Sequence, residues 1–123
     1  MKPIALLTGE DGRSHSFKCE QIVDGVPVNP VLPNGFSHTA NQGRPSRHLA
    51  WWCVPYIETE TGDHPGFVKC WKGNTRYDVR CLDGGAWDRP TCWGMFATME
   101  EALKCALVDG PSWRSKPTNK AAV

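Results

Sequence analysis

Apolar and polar positions change period along residues 76–108, RYDVRCLDGGAWDRPTCWGMFATMEEALKCALV. Residues 76–82 alternate, which predicts a strand with Tyr77, Val79 and Cys81 on one face and Arg76, Asp78, Arg80 and Leu82 on the other. A Gly-rich loop, DGGAWDRP, leads to a second alternating run over 91–96, where Cys92 and Phe96 oppose Thr91, Trp93 and Met95. Beyond it the period lengthens. Met99 (or Phe96), Ala102, Leu103, Ala106 and Leu107 recur at helical spacing, and Thr98 with Glu101 forms a T-x-x-E capping box. Gly110-Pro111 ends this predicted helix after 98–108.

The earlier residues carry a weaker pattern. A short strand is predicted over 4–8, and GEDG reads as a turn. Residues 14–23 read as one further strand, with Phe17, Cys19 and Val23 on alternate positions. Pro27, Pro30 and Pro33 remove backbone donors every three residues, so 27–48 is expected to be an extended Pro/Gly-rich connector within the domain. The run LAWWCVPYI, 49–57, is apolar on both alternations and predicts a buried strand with an edge or bulge at Pro55. ETETGDHPG then turns, 67–72 forms a strand, and KGNT turns tightly into the strand at 76.

Together these elements predict an α+β fold with a single domain over 1–110: an antiparallel β-meander with one C-terminal amphipathic helix packed on one face, followed by a flexible tail at 111–123. The helix is expected to cover the more uniformly apolar set, Val68, Cys70, Tyr77, Val79, Cys81, Cys92 and Phe96. The opposite face would carry Phe67, Lys69, Trp71, Arg76, Asp78, Arg80, Trp93 and Met95. Two readings of that second face remain. In one, the N-terminal half folds over it, and Lys and Arg stems lie beside the Trp rings. In the other, it is a binding surface for bases or for a partner protein.

Composition narrows the function classes. A chain of 123 residues with a net charge of +1 has room for one modest core and no global field to draw it to nucleic acid or an anionic membrane. The opening MKPIALLTGEDG is too short and too soon charged for a signal peptide, and no apolar run is long enough to span a bilayer, so a cytoplasmic protein is expected. The 6 cysteines are then read as free thiols. No Cys-x-x-Cys occurs, and neither His15 with Cys19 nor His64 with Cys70 has a matching second pair, so no metal and no cofactor is expected.

No paired carboxylates, phosphate cradle or placed nucleophile and base emerge from the sequence, and a non-enzymatic protein is the expectation. The candidate contacts are aromatic and charged. Two readings of the Gly-rich loop stay open. In one, Trp87 packs over the end of the sheet while Asp88 caps a turn or pairs with Arg89. In the other, Trp87, Asp88 and Arg89 are an exposed recognition tip, from which Trp71, Lys69 and Arg80 extend a partner-binding surface. Alternatively Arg44, Arg47, Lys69, Arg76 and Arg80 join into a groove for nucleic acid.

Residues 77–106, with LDGGAWDRPT and the FATMEEAL helix entry as their core, resemble small accessory proteins of proteobacterial plasmids, integrative elements and phages. The resemblance implies a stoichiometric inhibitor of host defence, in the manner of anti-CRISPR proteins, whose partner is a host protein complex, possible nucleoprotein complexes included. It assigns no functional residue.

Overall fold

The computed structural model describes residues 3–9, 11–33, 46–83 and 90–110. Their elements run β1 (Ile4–Thr8), β2 (Ser14–Lys18), β3 (Gln21–Val23), β4 (Val26–Val28), α1 (Ser46–Leu49), β5 (Tyr56–Thr61), α2 (Pro65–Cys70), β6 (Thr75–Cys81), β7 (Thr91–Phe96) and α3 (Met99–Lys104). The α+β class and the C-terminal helix are as expected. Strands β1 and β2 form a separate two-stranded ribbon, and β3-β4-β5-β6-β7 form a five-stranded sheet in that order.

The expected single strand over 14–23 is therefore two strands in two sheets. The expected connector also contains a paired strand. Asp24 and Gly25, both at positive φ (51° and 87°), make a two-residue turn between Val23 and Val26. An Asp-Gly pair flanked by apolar residues is a strong hairpin signal, because both central residues of such a turn need positive φ. Pro27 stands opposite Ile22. That turn makes Val23–Val26 the hydrogen-bonded pair, so the donor Pro27 lacks would point away from β3. On its other side β4 meets β5 in parallel at Val28–Ile57. Asn29 then continues the contact: its carboxamide accepts from the Thr59 N–H and donates to Thr59 Oγ1, each at 2.9 Å. A parallel pair needs a crossover. Residues 29–55, with α1 inside them, make it, and the sheet is consequently not a pure meander.

Residues 49–57 are not a strand. Leu49 closes α1, a turn follows, and β5 begins at Tyr56 and runs through the expected turn residues to Thr61. Residues 67–72 are not a strand either. His64 caps α2, its Nδ1 accepting from the Phe67 N–H at 3.2 Å, and Pro65 occupies the first turn, where a missing donor costs nothing. Val68 and Cys70, expected in the core, are exposed on this helix.

Two apolar clusters hold the elements together. On one side of the five-stranded sheet, Val26, Val28, Ile57 and Val79 pack against Ala102 and Cys105. Thr98 caps α3, Oγ1 accepting from the Glu101 N–H at 3.2 Å, and donates in turn to the Glu101 carboxylate. The helix ends in a wider turn over Cys105–Asp109, closed by Gly110 N–H donating to the Cys105 carbonyl. That widening puts Cys105 in the core and leaves Leu107, expected on the stripe, 53% exposed.

A bulge corrects the assignment of β7. Val79 faces Gly94 but Arg80 faces Cys92, leaving Trp93 as the extra residue. Trp93 thereby joins the helix-side cluster, and Cys92 moves to the Arg80 face. Gly94 allows this: a Cβ there would lie 2.7 Å from the Phe96 ring.

On the other side, Tyr56 and Leu82 are covered by Trp51, Ala50 and Phe17, with Leu7, Leu32 and Val54 at the margin. Trp51 is fully buried, its ring 5.1 Å from Phe17 and 5.2 Å from Tyr56. The N-terminal half therefore does fold over this end of the second face. Trp51→Ala removes the shared wall of that cluster and is expected to cost about 3–5 kcal/mol of unfolding free energy, read by urea denaturation. All 6 cysteines are free, and Cys19, Cys81 and Cys105 are buried. Burial, with Asp109 and Cys92 nearby, pushes the Cys105 thiol up to about 11. At mildly alkaline pH the exposed Cys53 and Cys70 should alkylate rapidly, and these three only after denaturation, as peptide mass mapping would show.

Candidate binding sites on the two sheets

Of the expected contact residues, Arg44, Trp87, Asp88 and Arg89 lie outside the described residues. The roots of the loop that carries the last three are described. Asp83 accepts from Thr91 Oγ1 at 3.0 Å and from the Trp93 indole N–H at 2.7 Å, so the described residues on either side of 84–89 are fastened to each other.

The remaining residues do not form one surface as expected. Arg76 and Arg80 alternate with Asp78 on β6 and share its face with Glu58 and Glu60, as the β5–β6 register shows. Lys69 and Trp71 lie instead on and just after α2, and Arg47 is on α1, its guanidinium 4.8 Å from the Phe17 ring centre. Phe67 of α2 reaches toward Arg76, 5.8 Å from its guanidinium, which ties α2 to the outer end of the same face.

Charge on this face is already matched. Arg76 binds the buried Asp78 carboxylate with two hydrogen bonds, 2.6 and 2.8 Å, and this contact raises its pKa. Arg80 lies 3.4 Å from Glu58. Three carboxylates thus face two guanidinium groups, Glu58, Glu60 and Asp78 against Arg76 and Arg80, a net formal charge of −1. A phosphate cradle requires the opposite excess.

A second grouping has the composition of a hydrolytic triad without its geometry. Ser46 Oγ is 3.4 Å from His15 Nε2, and Asp11 Oδ1 is 3.6 Å from the same nitrogen. A triad uses both ring nitrogens, one toward the hydroxyl and one toward the carboxylate. Here both partners meet one nitrogen, at the surface. The Arg13 backbone N–H and Ser46 hold the Asp11 carboxyl below its usual range. The grouping is a clamp that fixes the start of α1 to the β1–β2 turn. Among the described residues no three His, Cys, Asp or Glu side chains converge as metal ligands would.

Beside the clamp lies a groove of about 610 Å³ whose side chains are mainly apolar. Residues 6–9 form one wall, and Leu49, Ala50, Trp52 and Val54 form the other. The walls meet where Gly9 abuts Ser46 so closely that an added Cβ would stand 2.3 Å from Ser46 Oγ. Leu6 is 70% exposed and Trp52 42%. Among the described residues none of the lining side chains is ionisable. Sequence reasoning passed over this groove, although its signal was present. Adjacent apolar residues, Leu6-Leu7 and Trp51-Trp52, cannot both point inward from an extended segment, so one of each pair had to remain outside or be covered.

No protein-family model matches this chain, and neither the curated proteins nor the solved structures yield a match.

Burial raises the Glu58 pKa, against the opposing effect of Arg80, and Glu60 and Asp78 add to the rise. The folded state therefore holds this proton at pH values where the unfolded chain has released it. Stability from Glu58 is present below the usual carboxylate range and lost as pH rises through the raised value. Glu58→Gln cannot titrate, so its stability relative to wild type should improve as pH climbs through that window. Paired thermal melts across mildly acidic pH read this, and a constant difference would refute it.

Proposed function

We propose that this protein is a small non-enzymatic binding module that engages a protein partner and acts by covering part of its surface. The observation that carries this reading is the uncharged groove between β1 and residues 49–54, with Leu6 and Trp52 left open to solvent. Such patches are uncommon on isolated monomers and mark interaction sites. Trp87, Asp88 and Arg89 are a second contact in this reading, carried between flanking residues that Asp83 fastens. The partner class, a host defence complex, comes from the resemblance of residues 77–106 to mobile-element accessory proteins. The six free thiols suit a reducing, cytoplasmic setting. No helix among the described residues is long and apolar enough to cross a membrane.

Nucleic-acid binding fits less well, because Arg76 and Arg80 already face carboxylates. Affinity capture from bacterial lysate, with and without nuclease, separates the two readings. The expected result is a protein partner that persists through nuclease and moderate salt and is lost with Trp52→Ser or Trp87→Ala. Recovery dominated by nuclease-sensitive material, and abolished by Arg47→Ala or Lys69→Ala, would replace this proposal with the nucleic-acid one.

A further inference from the structure

The β1–β2 register determines which backbone groups β1 turns toward the groove. Cys19 N–H donates to the Pro3 carbonyl at 3.0 Å and Gly9 N–H to the Arg13 carbonyl at 2.9 Å. With Ile4 opposite Lys18, the odd-numbered residues 3, 5, 7 and 9 are the hydrogen-bonded positions toward β2. The even-numbered residues Ile4, Leu6 and Thr8 therefore turn their N–H and C=O groups to the free edge. Among the described residues none of these groups has a backbone partner outside the ribbon. Four consecutive residues, 6–9, line the groove. Three of them, Leu6, Leu7 and Thr8, are in β1, and since side chains alternate between faces, consecutive strand residues can share one cavity along the strand's edge. The groove thus runs beside a row of backbone donors and acceptors that no other described residue pairs with.

Resting on the binding-module reading, we propose that this groove accepts an extended, uncharged, apolar peptide segment of the partner, which adds as a third strand to β1. Three observations select this occupant. The open edge calls for extended backbone. No lining side chain among the described residues is ionisable, which favours a neutral segment along the groove, because a buried charge is costly without an adjacent counter-charge. A second wall, Leu49, Ala50, Trp52 and Val54, stands opposite residues 6–9, so the occupant lies between two walls. The edge also lacks the usual protections: Ile4–Thr8, sequence IALLT, contains neither a charge nor a proline.

Leu6→Pro tests the backbone part directly. The Leu6 N–H faces outward, so proline there removes a donor from the free edge and none from the β1–β2 ladder. A random linear-peptide library panned against the full chain supplies the probes. Enriched peptides should be uncharged and rich in β-branched residues, and should lose roughly tenfold or more in affinity to Leu6→Pro beyond whatever the side-chain truncation Leu6→Ala costs. Should Leu6→Pro fail to fold, backbone N-methylation of the selected peptide at alternate residues must cause the same loss. Amide hydrogen exchange gives the decisive reading. Leu6 and Thr8 should exchange fast in the free chain and slowly with peptide, while Leu7 is slow throughout. Peptides that bind without slowing Leu6 and Thr8 would overturn strand addition and leave the binding-module reading standing. Failure to enrich any peptide would overturn it as well. So would amides already slow in the free chain, from pairing with a second copy if dilution releases them and with a segment of the same chain if it does not.

Discussion

Burial of the Trp51 ring between Phe17 and Tyr56 is the interaction on which the rest of the arrangement depends. Phe17 belongs to the β1–β2 ribbon, Tyr56 to the five-stranded sheet, and Trp51 to the turn after α1. Among the described residues no strand pairing joins the two sheets. Besides the short link from Lys18 to Gln21 and the Val31 N–H donating to the Lys18 carbonyl at 2.7 Å, their relative position rests on this aromatic contact, on Leu82 and Ala50 beside it, and on the Ser46 clamp at the ribbon's turn. A two-stranded ribbon is marginal by itself in water and needs such packing to persist. The next residue, Trp52, faces outward because its neighbour is committed inward.

Local signals were legible and the non-local ones were not. The α3 capping box, the strands at β6 and β7 and the turn at residues 73 and 74 are written in short windows, where period and cap chemistry decide the outcome. The parallel contact of β4 with β5 is invisible at that range, since it joins residues 28 and 57 across a crossover. Prolines at 27, 30 and 33 suggested an unpaired segment, but the direction of the missing donor matters more than its absence. The reading of 67–72 failed because alternation in FVKCWK outweighed the His64-Pro65 helix start. One extra residue in β7 then moved Trp93 from one face to the other, which no period-two reading foresees.

The candidate surfaces divide by the same logic. Aromatic and basic residues were identified from type, and the basic ones on β6 proved to be answered by carboxylates contributed mainly by β5, a strand that had been read as a turn. The groove was missed because its walls lie some forty residues apart and neither is unusual by itself. Each wall carries ordinary aliphatic side chains, and only their facing each other makes a cavity.

That dependence has a thermodynamic corollary. The groove is not a property of β1 or of residues 49–54 but of the distance between them, which the Trp51 contact maintains. The unfolded chain has no such cavity. Anything lodged there consequently binds one state of the chain and not the other, and at free concentration c it stabilises the folded state by RT ln(1 + c/Kd). Occupancy and integrity become linked equilibria: the ligand holds the ribbon against residues 49–54, and whatever populates the state without the aromatic contact lowers the ligand's apparent affinity by that population.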